Sequence, residues 1–203
     1  MTFITDPLQL EQLYGQPQVT STAKELDHLI PHYRRYIEAS PFVLLATVGE
    51  RGADCTPRGD RPGFVRIRDD RTLLLPDRRG NNRIDSLRNI LRDPRLGLLF
   101  LIPGQGNTLR VSGQARISID ADLLQSFAVD GQPPRSVLVI EIQSVFFQCA
   151  RAVLRSELWN PEGFLAPGAL PSAGDILAAI TDGNVGGAEY DRVWPERARQ
   201  TLW

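Results

Sequence analysis

From Phe42 to Phe147 the chain is a succession of short strand-like runs broken by tight turns, and this pattern most narrows what it can fold into. Residues 42–48 form an unbroken apolar run that ends at Gly49, Glu50, Arg51 and Gly52, a hairpin signal, so residues 53–57 are the predicted partner. Residues 64–68 alternate apolar with basic, and Asp69, Asp70 and Arg71 turn the chain into 72–75. Asp93-Pro94 breaks the chain before 96–102, which reads as a buried strand. After the turn from Pro103 to Gly106, residues 109–119 and 137–147 are long alternating strands. Helical signals come singly, over about 83–91, 121–128 and 150–158. Strands this close together, with helices inserted one at a time, do not suit a doubly wound α/β sheet. They predict a mainly β protein, a small antiparallel barrel with peripheral helices.

The flanks differ in character. Residues 1–23 are polar and rich in Gln and Thr, and read as an arm on the domain surface. Leu26, Leu29, Ile30, Tyr33 and Ile37 fall at helical spacing over 24–39, with Pro31 expected to kink or split that helix. Residues 160–187 are rich in Gly, Pro and Ala, and Pro195 is expected to interrupt the last helix. The predicted organisation is an arm at 1–23, a barrel domain at 24–160, and a loop and helical extension at 161–203, packed on the same domain or on a dimer partner.

With 203 residues, 42% apolar and 23% charged, the chain can bury one good core. A net charge of −1 argues against a dedicated nucleic-acid binder. The longest aliphatic run, 98–102, is far too short to span a bilayer, and the N-terminus lacks a basic and then apolar leader. A cytoplasmic protein is expected. Cys55 and Cys149 are the only cysteines and have no CxxC spacing, so neither a zinc site nor a disulfide framework is expected, and Cys149 reads as a buried inert thiol. His28 and His32 have helical metal-ligand spacing, but Pro31 lies between them and they read as surface histidines.

Chemistry gathers in three blocks and a tail motif. From Leu75 to Leu87 the chain leaves an apolar run, carries Arg78, Arg79, Gly80, Asn81, Asn82 and Arg83, and opens a short helix. Unpaired N–H groups at a helix start, together with guanidinium forks, suit a phosphate. Asn81 or Asn82 is expected to cap the helix, with Asp85 bonding back. Arg83 then falls in the first turn, where a cation is unfavourable unless an anion neutralises it. The second block, Thr56 to Phe64, sets Arg58 and Asp60 among glycines and prolines; a solvated turn with an incidental ion pair is the alternative. In the third, Arg110 and Ser112 share one strand face while Leu109 and Val111 point the other way; a solvent-facing polar face is the alternative. Finally, Arg151 and Arg155 stand four residues apart on one helical face, and Trp159 follows. Gly104 to Leu109 reads as a hairpin turn rather than a dinucleotide fingerprint.

Together these blocks resemble the FMN-binding split-barrel family, the pyridoxamine phosphate oxidase-like flavoproteins, over roughly residues 25 to 160. The resemblance places Leu75-Pro76-Asp77 at the strand end that meets the flavin ring and Asn82-Arg83 at the basic turn for the FMN phosphate. It places Leu96 to Phe100 at the apolar strand between, and Leu109 to Gly113 at the strand returning beneath the cofactor. Pyridoxamine phosphate oxidase proper has an Arg-Lys pair where this chain has Asn82-Arg83, and a glutamine where it has Thr108. Its C-terminal arginine- and histidine-bearing segment has no counterpart here. The chain is more similar to a separate branch marked by Pro57 to Phe64, by Arg78 to Arg83 with Arg79 variable, and by Arg155 to Trp159.

The resemblance implies FMN as cofactor, a homodimer with two flavins at its interface, and oxidoreductase chemistry on an unidentified small molecule. NADH or NADPH is the candidate electron donor. Arg83, helped by Asn82 and Arg78, would hold the phosphate, and backbone around Pro76 and Asp77 would meet the ring edge. Arg58, Asp60, Arg110 and Ser112 would line the cofactor or substrate side. Trp159 would close the pocket or anchor the core or dimer interface, and Arg79 reads as a solvated charge. No residue stands out as an obligatory acid or base. A non-catalytic FMN-binding or sensing protein, and a split barrel using deazaflavin or haem, remain alternatives.

Overall fold

The computed structural model describes all of residues 1–203. Seven strands form one antiparallel sheet: β1 (Phe42–Gly49), β2 (Gly52–Gly59), β3 (Arg66–Ile67), β4 (Thr72–Asp77), β5 (Arg95–Leu101), β6 (Thr108–Ser118) and β7 (Ser136–Gln148). Their order is β2-β1-β5-β6-β7-β4-β3. The end strands β2 and β3 do not pair, yet the inner faces of β1 and of β4 to β7 share one core. Val43, Leu45, Leu73, Leu75, Leu98, Phe100, Val111, Ile140 and Val145 meet there, all essentially without solvent contact. The sheet therefore curls on itself as a split antiparallel barrel, as the strand pattern leads one to expect. Alternation drives the curl: each inward residue buries an aliphatic or aromatic side chain, contributing about 1.5–3 kcal/mol apiece.

One bulge matters. The β6–β7 register shifts between Ser112 and Gly113, where a Cβ on Gly113 would run into the Glu141 carbonyl of β7. Only glycine lets the two backbones approach so closely.

Eight α-helices flank the barrel: α1 (Pro7–Tyr14), α2 (Val19–Thr22), α3 (Pro31–Ala39), α4 (Asp85–Arg92), α5 (Ala121–Ser126), α6 (Arg151–Arg155), α7 (Ala173–Ile180) and α8 (Ala188–Gln200). α3 presents Tyr33 and Ile37 to the core, and α4 presents Ile90. Asn89 of α4 is buried and donates to Thr47 Oγ1 of β1 at 3.0 Å, fixing the helix against the strand that backs the site.

Several sequence expectations change. Pro31 neither kinks nor splits a helix over 24–39; it starts α3 at the first helical position, where its missing N–H costs nothing. Residues 24–30 are instead non-helical, turning at Lys24 and bending at Asp27 and His28, with Leu26 bridging Val145 in both directions and the Leu29 N–H donating to the Asp70 carbonyl. Neither Asn81 nor Asn82 caps α4; Ile84 stands at that position with φ 52°. The strand expected at 64–68 shrinks to Arg66–Ile67, because Phe64 and Val65 turn inward as core residues. α6 stops at Arg155, and Cys149, expected buried, is exposed. α8 runs through Pro195 unbroken. The arm at 1–23 is exposed throughout and holds two short helices. No helix is long and apolar enough to cross a membrane.

Candidate functional site

A cleft of about 350 Å³ opens where the end of β2, the end of β4, the start of β7 and the loop from Arg78 to Ile84 converge. The pairing of β4 with β7 builds it. Asp77 lies opposite Ser136, so Arg135 is delivered beside Arg78 and Arg79. Buried Pro76 and Pro134 stiffen both walls.

The charges are arranged in layers. Arg78 Nε donates to Asp60 Oδ2 at 2.9 Å and its Nη1 to the Phe127 carbonyl at 2.8 Å. That pair is largely buried, the Asp60 side chain keeping 3% of its surface and Arg78 15%. It ties the segment after β2 to the loop after β4, so Asp60 acts from behind the cleft wall. Arg58 reaches Asp77 at 3.7 Å and also donates to Thr56 Oγ1 and the Pro57 carbonyl. Burial pushes the Asp77 carboxyl up from its ordinary value, with Arg58 and Arg135 pulling the other way. Arg135 Nη1 donates to Asn82 Oδ1 at 2.9 Å, a neutral partner. Arg79 and Arg135 line the cleft without a carboxylate in ion-pair range.

Two features of this lining are costly unless something binds. Ser136 is 6% exposed, lines the cleft, and its Oγ has no hydrogen-bond partner, a cost of about 1–3 kcal/mol. Asn82 and Ile84 both take left-handed backbone, at φ 60° and 52°. For a β-branched residue such as Ile84 this stores roughly 1–3 kcal/mol, and such strain clusters at binding sites.

The sequence-predicted residues divide accordingly. Arg58, Pro76, Asp77, Arg78 and Asn82 line the cleft together. Arg83 does not: its guanidinium pairs with Asp85 at 2.8 Å, and it faces an adjoining cavity of about 270 Å³ shared with Arg58, Asn81, Ile84 and Ser86. That pair relieves the misplaced charge inferred from the sequence without any ligand. Arg110 and Ser112 project from the barrel's outer face, opposite in sense to buried Leu109 and Val111, with Arg110 5.5 Å from the Phe146 ring. Arg58, lying across from inward Val43, is on the other face, so Arg58 and Arg110 do not meet within one chain. Trp159 donates Nε1–H to the Gln105 carbonyl at 2.8 Å, clamping the segment after α6 onto the β5–β6 turn.

Sequence reasoning missed Arg135, Ser136 and Trp203, and set Arg79 aside as solvated. Only Pro133-Pro134, a rigid approach to β7, pointed toward Arg135. Trp203 lies with its ring 5.4 Å from the Arg78 guanidinium and 5.6 Å from that of Arg61. His28 has a carboxylate neighbour after all, Asp27 at 2.8 Å on the surface.

Comparison with curated proteins found no match. Among solved structures, HupZ of Group A Streptococcus is 20% identical with a TM-score of 0.49, the alignment covering 60% of this chain and 94% of that one. A protein of Clostridium acetobutylicum related to general stress protein 26, of the pyridoxinephosphate oxidase family, is 15% identical with a TM-score of 0.47, covering 58% and 86%. An F420 reductase is 16% identical with a TM-score of 0.44, covering 58% and 98%. The family model for pyridoxamine 5'-phosphate oxidase matches residues 29–149, from the approach to α3 through the end of β7, and so takes in every strand that builds the cleft. By that match the chain belongs to the pyridoxamine 5'-phosphate oxidase family.

Proposed function

We propose that the protein is an FMN-binding flavoprotein acting as an FMN-dependent oxidoreductase on a small molecule, and that it works as a homodimer. The observation that carries this reading is the buried, unpartnered Ser136 Oγ in a cleft bounded by a basic loop with two left-handed residues. A hydroxyl held that way is stabilised by a ligand with polar ring-edge atoms, and strained left-handed backbone beside it is of the kind that clusters at binding sites.

FMN, when bound, supplies the hydride or electron chemistry. The protein's own groups bind and orient. Ser136 Oγ and the backbone at Pro76 and Asp77 meet the ring edge. The cavity shared by Arg58, Asn81, Ile84 and Arg83 takes the phosphate, with Arg83 exchanging Asp85 for the stronger anion and Asn82 shaping the turn. Arg78, locked to Asp60, keeps the loop in register. Arg110, Ser112 and Trp159 stand outside the single-chain cleft, so their contribution is across the interface of a homodimer. NADH or NADPH serves as electron donor.

The absorbance spectrum of the purified protein, followed by titration with FMN, tests this. Yellow protein, or saturable uptake of added FMN, supports the reading; colourless protein that takes up none sinks it. A haem or deazaflavin spectrum instead would name the other cofactor. Reduction of bound flavin by NADH or NADPH, then turnover with an acceptor, separates an enzyme from a binder. In the same titration, Arg83→Ala lowers FMN affinity roughly ten- to a hundred-fold, the loss of one charge-assisted phosphate contact. It leaves the melting temperature nearly unchanged, since the Arg83–Asp85 pair is a surface pair with Arg83 72% exposed.

A further inference from the structure

The cleft does not end at Arg135. A second cavity of about 180 Å³ continues from it, sharing Arg78, Arg79 and Arg135 and adding Gln132, Pro133, Pro134 and Trp203. We propose that this extension is the subsite for a ring-bearing carboxylate, with Arg79 and Arg135 binding the carboxylate and Trp203 stacking on the ring; its role as the substrate's seat rests on the flavin reading above.

Charge accounting supports an anion. Of four arginines lining the cleft, Arg58 faces Asp77 and Arg78 is held by Asp60. Arg79 and Arg135 are left, side by side, on the wall common to both cavities. Two unneutralised guanidinium groups in one recess repel each other, and a carboxylate relieves both through paired N–H donors in a planar fork. Asp77, on the wall of the adjoining cleft that Arg79 and Arg135 also line, favours a single charge over a doubly charged phosphate.

Shape supports a ring. Trp203 is half-buried, its indole fixed by the guanidinium groups of Arg61 and Arg78 at 5.6 and 5.4 Å. Pro133 and Pro134 line the same recess, rigid and without N–H groups to satisfy. An indole and two stiff prolines bordering so small a recess suit one planar ring. The position is also right for a second ligand. Arg83 and the phosphate cavity lie on the far side of Asn81 and Ile84, touching neither Trp203 nor Arg79. Trp203 lies outside residues 29–149, the segment matched by the family model, whereas the arginines and prolines of this recess lie within it.

Calorimetry on the purified full chain, with and without added FMN, tests the subsite using benzoate, acetate, benzyl alcohol and inorganic phosphate as probes. Saturable benzoate binding is expected, with benzyl alcohol and phosphate binding at least roughly ten-fold more weakly. The double variant R79Q/R135Q weakens benzoate ten-fold or more while keeping FMN affinity within about three-fold of the parent. W203A weakens benzoate several-fold but leaves acetate unaffected, a split that loss of folding would not produce. Absent benzoate binding, equal binding by R79Q/R135Q, or phosphate binding more tightly than benzoate each overturns the proposal. So does a large loss of FMN affinity in R79Q/R135Q, which would show these arginines to hold the cofactor. Benzoate binding without FMN uptake defeats the flavin reading alone; FMN uptake without benzoate binding defeats the subsite alone.

Discussion

Ser136 sets folding against binding. Its hydroxyl is buried without a partner in the ligand-free chain, so Ser136→Ala removes a cost of about 1–3 kcal/mol and raises the melting temperature by several degrees. The same substitution deletes a donor to the bound ring, worth about 0.5–1.5 kcal/mol, so FMN affinity falls roughly two- to thirteen-fold. Thermal melts with and without FMN check this: the variant melts higher alone and gains less from the ligand, and an equal gain from FMN in both proteins would remove Ser136 from the site. The sequence did not single this residue out, since nothing about one serine at a strand start is unusual. What made Arg58, Pro76, Asp77, Arg78 and Asn82 legible was chemistry crowded into two contiguous stretches. Arg135 and Ser136 arrive by strand register, and Trp203 by the packing of the extension, and beyond the Pro133-Pro134 approach to β7 neither leaves a local mark. Asp60 was visible as a residue of the cofactor or substrate side, with an incidental pair to nearby Arg58 as the alternative; in the folded chain its ion pair is with Arg78.

At the level of elements, apolar runs marked β1 and β5 and period-two alternation marked β6 and β7, each found within a residue or two of its expected ends. The signal is strong there because those strands bury one face completely. β3 was overread, because Phe64 and Val65 are apolar for the core without belonging to the ladder. Proline was ambiguous in both directions: Pro31 opens a helix and Pro195 sits inside one. The bulge at Gly113 had no signature beyond the glycine. Its structural role makes Gly113→Ala a sharp test, since the new methyl meets the Glu141 backbone rather than a side chain that could swing away. Overpacking of this kind costs about 1–3 kcal/mol, and here the value lies at the upper end or beyond. Urea unfolding should show the midpoint dropping with little change in slope. A midpoint unchanged by the substitution would mean that β6 and β7 are not bulged in this way.

Across the whole molecule, acid sensitivity separates groups that the fold favours as ions from the one it does not. The Asp27 carboxyl is lowered to about 2, first by its hydrogen bond with His28 and then by that with Arg71; the Arg71 contact ties the non-helical 24–30 segment to the turn before β4. Asp93 is lowered to about 2 by Arg95. For both, the folded value lies below the unfolded one, so their contribution is present above about pH 4 and is lost as pH falls toward 2. Asp27 is exposed and Asp93 half-buried at the surface, so salt screens part of the effect, most of all at Asp27. The melting temperature should therefore hold steady from neutrality to about pH 5 and decline below pH 4, and Asp27→Asn should flatten part of that decline. Asp77 runs the other way. Its carboxyl is raised, first by burial, so its contribution is present below its unfolded value and lost as pH rises through the folded one. At neutral pH the chain thus carries a charge at the cleft that folding disfavours, held there by Arg58 and Arg135. Asp77→Asn should stabilise the ligand-free protein at pH 7, and the gain should vanish near pH 3, where the native residue is already neutral. Melting curves of the two proteins across that range decide it: a gain independent of pH, or a loss at pH 7, would show that the arginines rather than burial govern this carboxylate.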